Sequence, residues 1–152
     1  DVGEVIRLGR SSAGAVRGRP ASSPRSESKR VVVVDDSEVT RDLIATILRS
    51  EGLEVFEAIN GRDGVERIGQ HRPDLVLTDL EMPVMDGFGL LAAVRNMPEH
   101  KALPIIVFST RGSEADKRKA AQLGADAYLV KGTFREEELI ALARRFVGGA
   151  SE

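Results

Sequence analysis

The chain has 152 residues, 41% hydrophobic but only 4% aromatic, with no cysteine and a formal net charge of −2. One domain with an aliphatic core suits that length, disulfide scaffolds and cysteine-ligated zinc are excluded, and no apolar run approaches a membrane span. Residues 1–29 hold six Lys/Arg against three acids, which leaves −5 on the remainder, so nucleic-acid binding through the main body gains no support; with no signal-peptide pattern at the start, a cytoplasmic location is expected.

The chain opens on Asp1, and residues 1–10 read as the remnant of an upstream domain in a longer protein. Residues 11–29 (SSAGAVRGRPASSPRSESK) contain no aliphatic larger than valine. They bury too little to offset the entropy of ordering, so a flexible linker is predicted. The folded domain is predicted over 30–148. It begins with the β-branched run Val31-Val32-Val33-Val34, as expected of a strand covered on both faces. A helix follows over 37–50, with Val39, Leu43, Ile44, Ile47 and Leu48 on one face and Gly52 past its end. Next come a strand over 53–58, a helix over 62–70 after Asn60-Gly61, and a strand over 74–78 running into Asp79. Asp86 caps a helix that starts at Gly87. Pro104 opens a strand ending at Ser109, and residues 113–123 form a helix stopped by Gly124. A last strand covers 127–130, and a last helix 133–147, with Thr133 and Glu136 spaced as a capping box. Five strands alternating with five helices predict a doubly wound α/β sheet; periodicity leaves the strand order open.

In such sheets ligands bind beyond the carboxyl ends of the strands. Here those ends carry Asp35-Asp36, Asp79, Ser109-Thr110 and Lys131. Three carboxylates in a small volume repel one another and raise at least one pKa unless a cation compensates. Oxygen ligands of this kind suit Mg²⁺, and Lys131 supplies a second positive charge. A carboxylate nucleophile, a hydroxyl and two cationic centres make a set suited to phosphoryl transfer onto an aspartate. Each residue alone has an ordinary reading as a cap, a turn hydroxyl or a solvated strand end. Their joint placement on four strand ends is what carries the functional one.

The segments VVVVDDSEVTR (31–41), DLVLTDLEMPVMDG (74–87), PIIVFST (104–110) and GADAYLVKG (124–132) resemble the CheY-like receiver domain of response regulators. That resemblance implies the flavodoxin-like strand order 2-1-3-4-5 and Asp79 as phosphoacceptor. It further implies Mg²⁺ (or Mn²⁺) held by Asp35, Asp36, Asp79 and the main-chain carbonyl of Glu81. Ser109 and Lys131 are expected to contact the phosphoryl group, and Tyr128 to be the switch aromatic, its ring turning inward after phosphorylation. The implied partners are a histidine kinase phosphodonor domain and a signalling protein on the face built by the fourth helix, fifth strand and fifth helix. No nucleic-acid or membrane partner is expected.

Gly132 stands where the family usually has proline, so a cis bond after Lys131 is not assumed. Glu81 and Arg111, each two residues beyond a site residue, are expected to flank the phosphoryl group and control access to it. With only Gly148-Gly149-Ala150-Ser151-Glu152 after Val147, a transcription-factor output is not expected. A CheA-type hybrid chemotaxis kinase with a carboxy-terminal receiver, as in FrzE-like proteins, is the expected parent; a phosphate sink or stand-alone regulator is the alternative. A haloacid-dehalogenase-type phosphatase needs Asp-x-Asp after the first strand, and here Ser37 occupies the second acidic position. A pseudo-receiver would lack part of the acidic set, which is complete.

Overall fold

The computed structural model describes Val5–Arg7 and residues 28–148. Apart from Val5–Arg7 and residues 28–29, the expected upstream remnant (1–10) and linker (11–29) lie outside the described residues.

In chain order the elements are β1 (Val5–Arg7), β2 (Arg30–Val34), α1 (Glu38–Ser50), β3 (Glu54–Ala58), α2 (Gly61–His71), β4 (Leu75–Thr78), α3 (Gly87–Arg95), β5 (Ile105–Ser109), α4 (Glu114–Gln122), β6 (Ala127–Val130) and α5 (Glu136–Val147), with a 3₁₀ turn at Pro98–His100. The sheet runs β1-β6-β5-β4-β2-β3. Its last five strands are parallel and, numbered among themselves, follow the expected order 2-1-3-4-5. β1 adds an antiparallel strand outside β6, with Ile6 opposite Tyr128.

Alternation along the strands divides the core in two. Val31, Val33, Leu75, Leu77, Ile106 and Phe108 face α1 and α5, meeting Ile44, Leu48, Leu139 and Leu142. Val32, Val34, Val76, Ile105 and Val107 face the opposite layer, meeting Ile68, Leu90, Leu91 and Ala120. A strand whose side chains alternate between two helical layers needs apolar residues at every position, which explains the unbroken valine run.

Two local expectations need correction. Val39 and Leu43 are exposed rather than part of the α1 core face, which consists of Ile44, Ala45, Ile47 and Leu48. The last helix starts at Glu136, three residues later than expected. Glu138 accepts from the Arg135 main-chain N–H at 3.2 Å, so the helix start is closed there and not at Thr133. The cause is Phe134, which packs edge-to-face on Phe108 at 4.9 Å and holds the preceding chain against the sheet. The Lys131–Gly132 peptide is trans.

Candidate functional site

The carboxyl ends of β2, β4, β5 and β6 point to one side of the sheet, and the residues there meet. Carboxylate oxygens of Asp35, Asp36 and Asp79 all lie within 4.8 Å of one another. Lys131 Nζ lies 2.8 Å from Asp35 Oδ2 and 3.3 Å from Asp79 Oδ2. It also sits over the Phe108 ring at 5.7 Å, a favourable place for an ammonium.

Each of these side chains is held. Asp35 is buried; its N–H donates to the Ala58 carbonyl at 3.0 Å, and its Oδ1 accepts from the Ser37 N–H at 2.9 Å. Ser37 in turn caps α1 by accepting from the Thr40 N–H. Asp36 is exposed at the mouth of the cluster. Asp79 is nearly buried; Oδ1 accepts from the Leu80 N–H at 2.7 Å, and its own N–H donates to the Val34 carbonyl at 2.9 Å. Burial pushes the Asp79 carboxyl above its ordinary value and Asp35 adds to this, while Lys131 and the Leu80 N–H oppose it. For Lys131, burial is the largest single influence and acts downward; the Asp35 hydrogen bond and the charges of Asp79 and Asp35 outweigh it and hold the ammonium above its usual range.

α3 begins against the back of Asp79. Asp86 accepts from the Gly89 N–H at 2.8 Å as the expected cap, and Gly87 donates to the Leu80 carbonyl at 2.9 Å. A Cβ at Gly87 would stand 2.2 Å from the Asp79 carbonyl oxygen. Only glycine lets the helix approach this closely.

Of the remaining expected residues, Ser109 and Tyr128 lie inside the fold, and Glu81 and Arg111 lie nearer the surface. Ser109 is fully buried, and its Oγ accepts from the Arg111 N–H at 3.0 Å. Tyr128 is also fully buried, and its hydroxyl donates to the Arg111 carbonyl. The ring expected to turn inward after phosphorylation is therefore already inside. Arg111 and Glu81 pair at 3.1 Å, as their positions suggested. Sequence reasoning missed that Arg111 also makes a two-pronged pair with Asp116 of α4, at 3.0 and 2.9 Å. That pair holds the Asp116 carboxyl below its ordinary value. Arg41 was missed as well, although it contacts the acidic corner; nothing in its spacing separates it from a surface helix residue.

Comparison with known proteins agrees with this geometry. The chain is 37% identical over 122 residues to the gliding motility regulatory protein of Myxococcus xanthus, covering 80% of this chain but only 16% of that protein's length. The chemotaxis protein CheY4 of Vibrio cholerae superposes with a TM-score of 0.74 at 34% identity, over 78% of this chain and 98% of that one. The receiver domain of a sensor histidine kinase from Pseudomonas aeruginosa, with a magnesium ion coordinated in its active site cleft, gives a TM-score of 0.74 at 28% identity, over 80% of this chain and 99% of that one. The sequence pattern of the response regulator receiver domain matches residues 31–144, and the chain belongs to that family.

Proposed function

We propose that Asp79 accepts a phosphoryl group from a phosphohistidine of a histidine kinase domain. The observation that carries this reading is the convergence of three carboxylates and one ammonium at the ends of β2, β4 and β6. An Asp79 carboxylate oxygen forms the new P–O bond as the P–N bond of the donor breaks, and the electron pair of that bond remains with the imidazole nitrogen. Lys131, already 3.3 Å from Asp79 Oδ2, is placed to follow the negative charge onto the phosphoryl oxygens.

The donor set fits a hard divalent cation. Three closely spaced carboxylates against one ammonium leave an excess of negative charge, and every available donor is an oxygen. Asp35, Asp36, Asp79 and the Glu81 main-chain carbonyl would hold Mg²⁺ or Mn²⁺. When bound, the ion supplies positive charge to the oxygens of the incoming group.

Fluoroberyllate mimics a phosphoryl group on a carboxylate and tests the reading. With Mg²⁺ the chain should bind one equivalent, and Asp79→Asn should bind none. Undiminished binding by Asp79→Asn, or turnover of a generic phosphoester, would overturn it.

The Glu81–Arg111 pair stands two residues beyond both Asp79 and Ser109. It restricts the approach of hydrolytic water, and Asp116 keeps Arg111 in place. Loss of phosphate should be several-fold faster in Glu81→Ala and in Arg111→Ala; rates equal to that of the parent chain would remove the pair from the mechanism.

The output surface is the face of α4, β6 and α5, with Tyr128 beneath it. The receiver, residues 30–148 with Val5–Arg7 paired onto the edge of its sheet, is part of a longer chemotaxis kinase of the CheA type. The Myxococcus relative, in which the matching stretch is a small part of the length, supports this arrangement. CheY4, almost wholly spanned by the match, supports the alternative of a stand-alone regulator or phosphate sink.

A further inference from the structure

Arg41 stands on α1, one turn into the helix, and reaches back over the corner where β2 gives way to the helix. Its Nη1 donates to the main-chain carbonyl of Asp35 at 2.8 Å, and its Nε donates to Glu57 Oε1 on β3 at 3.1 Å. Glu57 Oε2 accepts from Arg49 Nη1 at 3.2 Å, and Arg49 Nη2 donates to the Val55 carbonyl at 2.9 Å. The Arg41 side chain is only 13% exposed. A guanidinium is a rigid planar fork, and here it spans a loop and a neighbouring strand in one fixed geometry.

The atom it grips matters. The Asp35 carbonyl belongs to the peptide joining Asp35 to Asp36, so fixing that oxygen fixes the plane from which Asp36 departs. The Asp35 N–H, Oδ1 and Oδ2 are already engaged by Ala58, Ser37 and Lys131. Arg41 completes the restraint at the one polar atom those contacts leave. Asp36 itself is exposed and is repelled by two neighbouring carboxylates, so an unrestrained corner would open.

We propose that Arg41 is a positioning residue that holds the Asp35–Asp36 corner in the arrangement that receives the divalent cation, with Glu57 as its anchor. This rests on the reading of Asp35, Asp36 and Asp79 as the metal-binding set. Residues that orient metal ligands from behind are typically worth 10–100-fold in metal affinity.

The test is calorimetric titration with Mg²⁺ alone, beside phosphorylation rates measured across Mg²⁺ concentrations and thermal melting in EDTA. In Arg41→Met the Mg²⁺ dissociation constant should rise about tenfold, with the phosphorylation rate at saturating Mg²⁺ close to that of the parent chain. Glu57→Gln, which keeps an acceptor but loses the charge, should show a smaller rise in the same direction. If Arg41→Met does not fold, Arg41→Lys is judged by the same criterion. A lowered melting temperature with unchanged Mg²⁺ affinity would make Arg41 a purely structural residue and overturn the proposal. A parent chain that binds no Mg²⁺ would instead overturn the site reading beneath it.

Discussion

Tyr128 is the single tyrosine in a chain without tryptophan, so its ionisation can be followed by ultraviolet absorbance with no other phenol contributing. Burial pushes its pKa above the ordinary value, with the Ser109 hydrogen bond opposing. The folded protein therefore disfavours the phenolate. The stability this gives is fully present below the unfolded value of about 10 and is lost as pH rises through the folded value. Phenolate absorbance should appear at a higher pH than for free tyrosine and coincide with loss of structure, and Tyr128→Phe should remove that alkaline sensitivity. The same substitution leaves the Arg111 carbonyl without the phenolic donor and should cost about 1 kcal/mol in denaturant unfolding at neutral pH. At this scale the sequence was legible at the strand ends: Asp35, Asp36, Asp79 and Lys131 meet as expected. Arg41, Glu57 and Asp116 were not legible, because a hydrogen bond from a helix to a loop or a neighbouring strand leaves no periodic trace. Tyr128 was recognised, but its position inside the core depends on tertiary packing that no local pattern encodes.

Among the elements, α3 packs closely against the main chain of Asp79. Gly87→Ala would drive a Cβ into the Asp79 carbonyl and should lower stability by about 1–3 kcal/mol, the range for overpacking. Fluoroberyllate binding should weaken as well, since the backbone of Asp79 itself must move; a variant with parental melting and parental binding would show that the contact yields freely. Element types followed from residue patterns because each strand is a short apolar run and each helix carries a recognisable stop or cap, such as Asp86 or Gly124. Boundaries were less legible. Thr133 and Glu136 have the spacing of a capping box, but burial of Phe134 against Phe108 outweighs that local signal and delays α5. Val39 and Leu43 fit a helical apolar stripe, yet they lie toward the rim of the α1 face, where no neighbouring layer covers them.

Across the whole molecule, the two apolar layers and the acidic crevice are separable. Ile106 is fully buried between β4 and β6, far in sequence from the acidic residues, and Ile106→Ala should cost about 2–5 kcal/mol. Mg²⁺ affinity measured well below the lowered melting temperature should be unchanged. Strand order is a global feature that periodicity could not supply, because parallel strands pair through helical crossovers and not through local turns. The pairing of Val5–Arg7 with β6 was not foreseen either. A terminal strand in a sheet presents a row of open donors and acceptors that invites association, and β1 covers that row beside Tyr128. The amides of Ala127 and Leu129 alternate with that of Asp126, which donates to Ile105 on β5, so they should exchange with deuterium faster in a chain lacking residues 1–10. β1 is only three residues long and has β6 as its one neighbour in the sheet, so this margin has the shortest ladder to lose, and its loss would bare the strand that carries Tyr128.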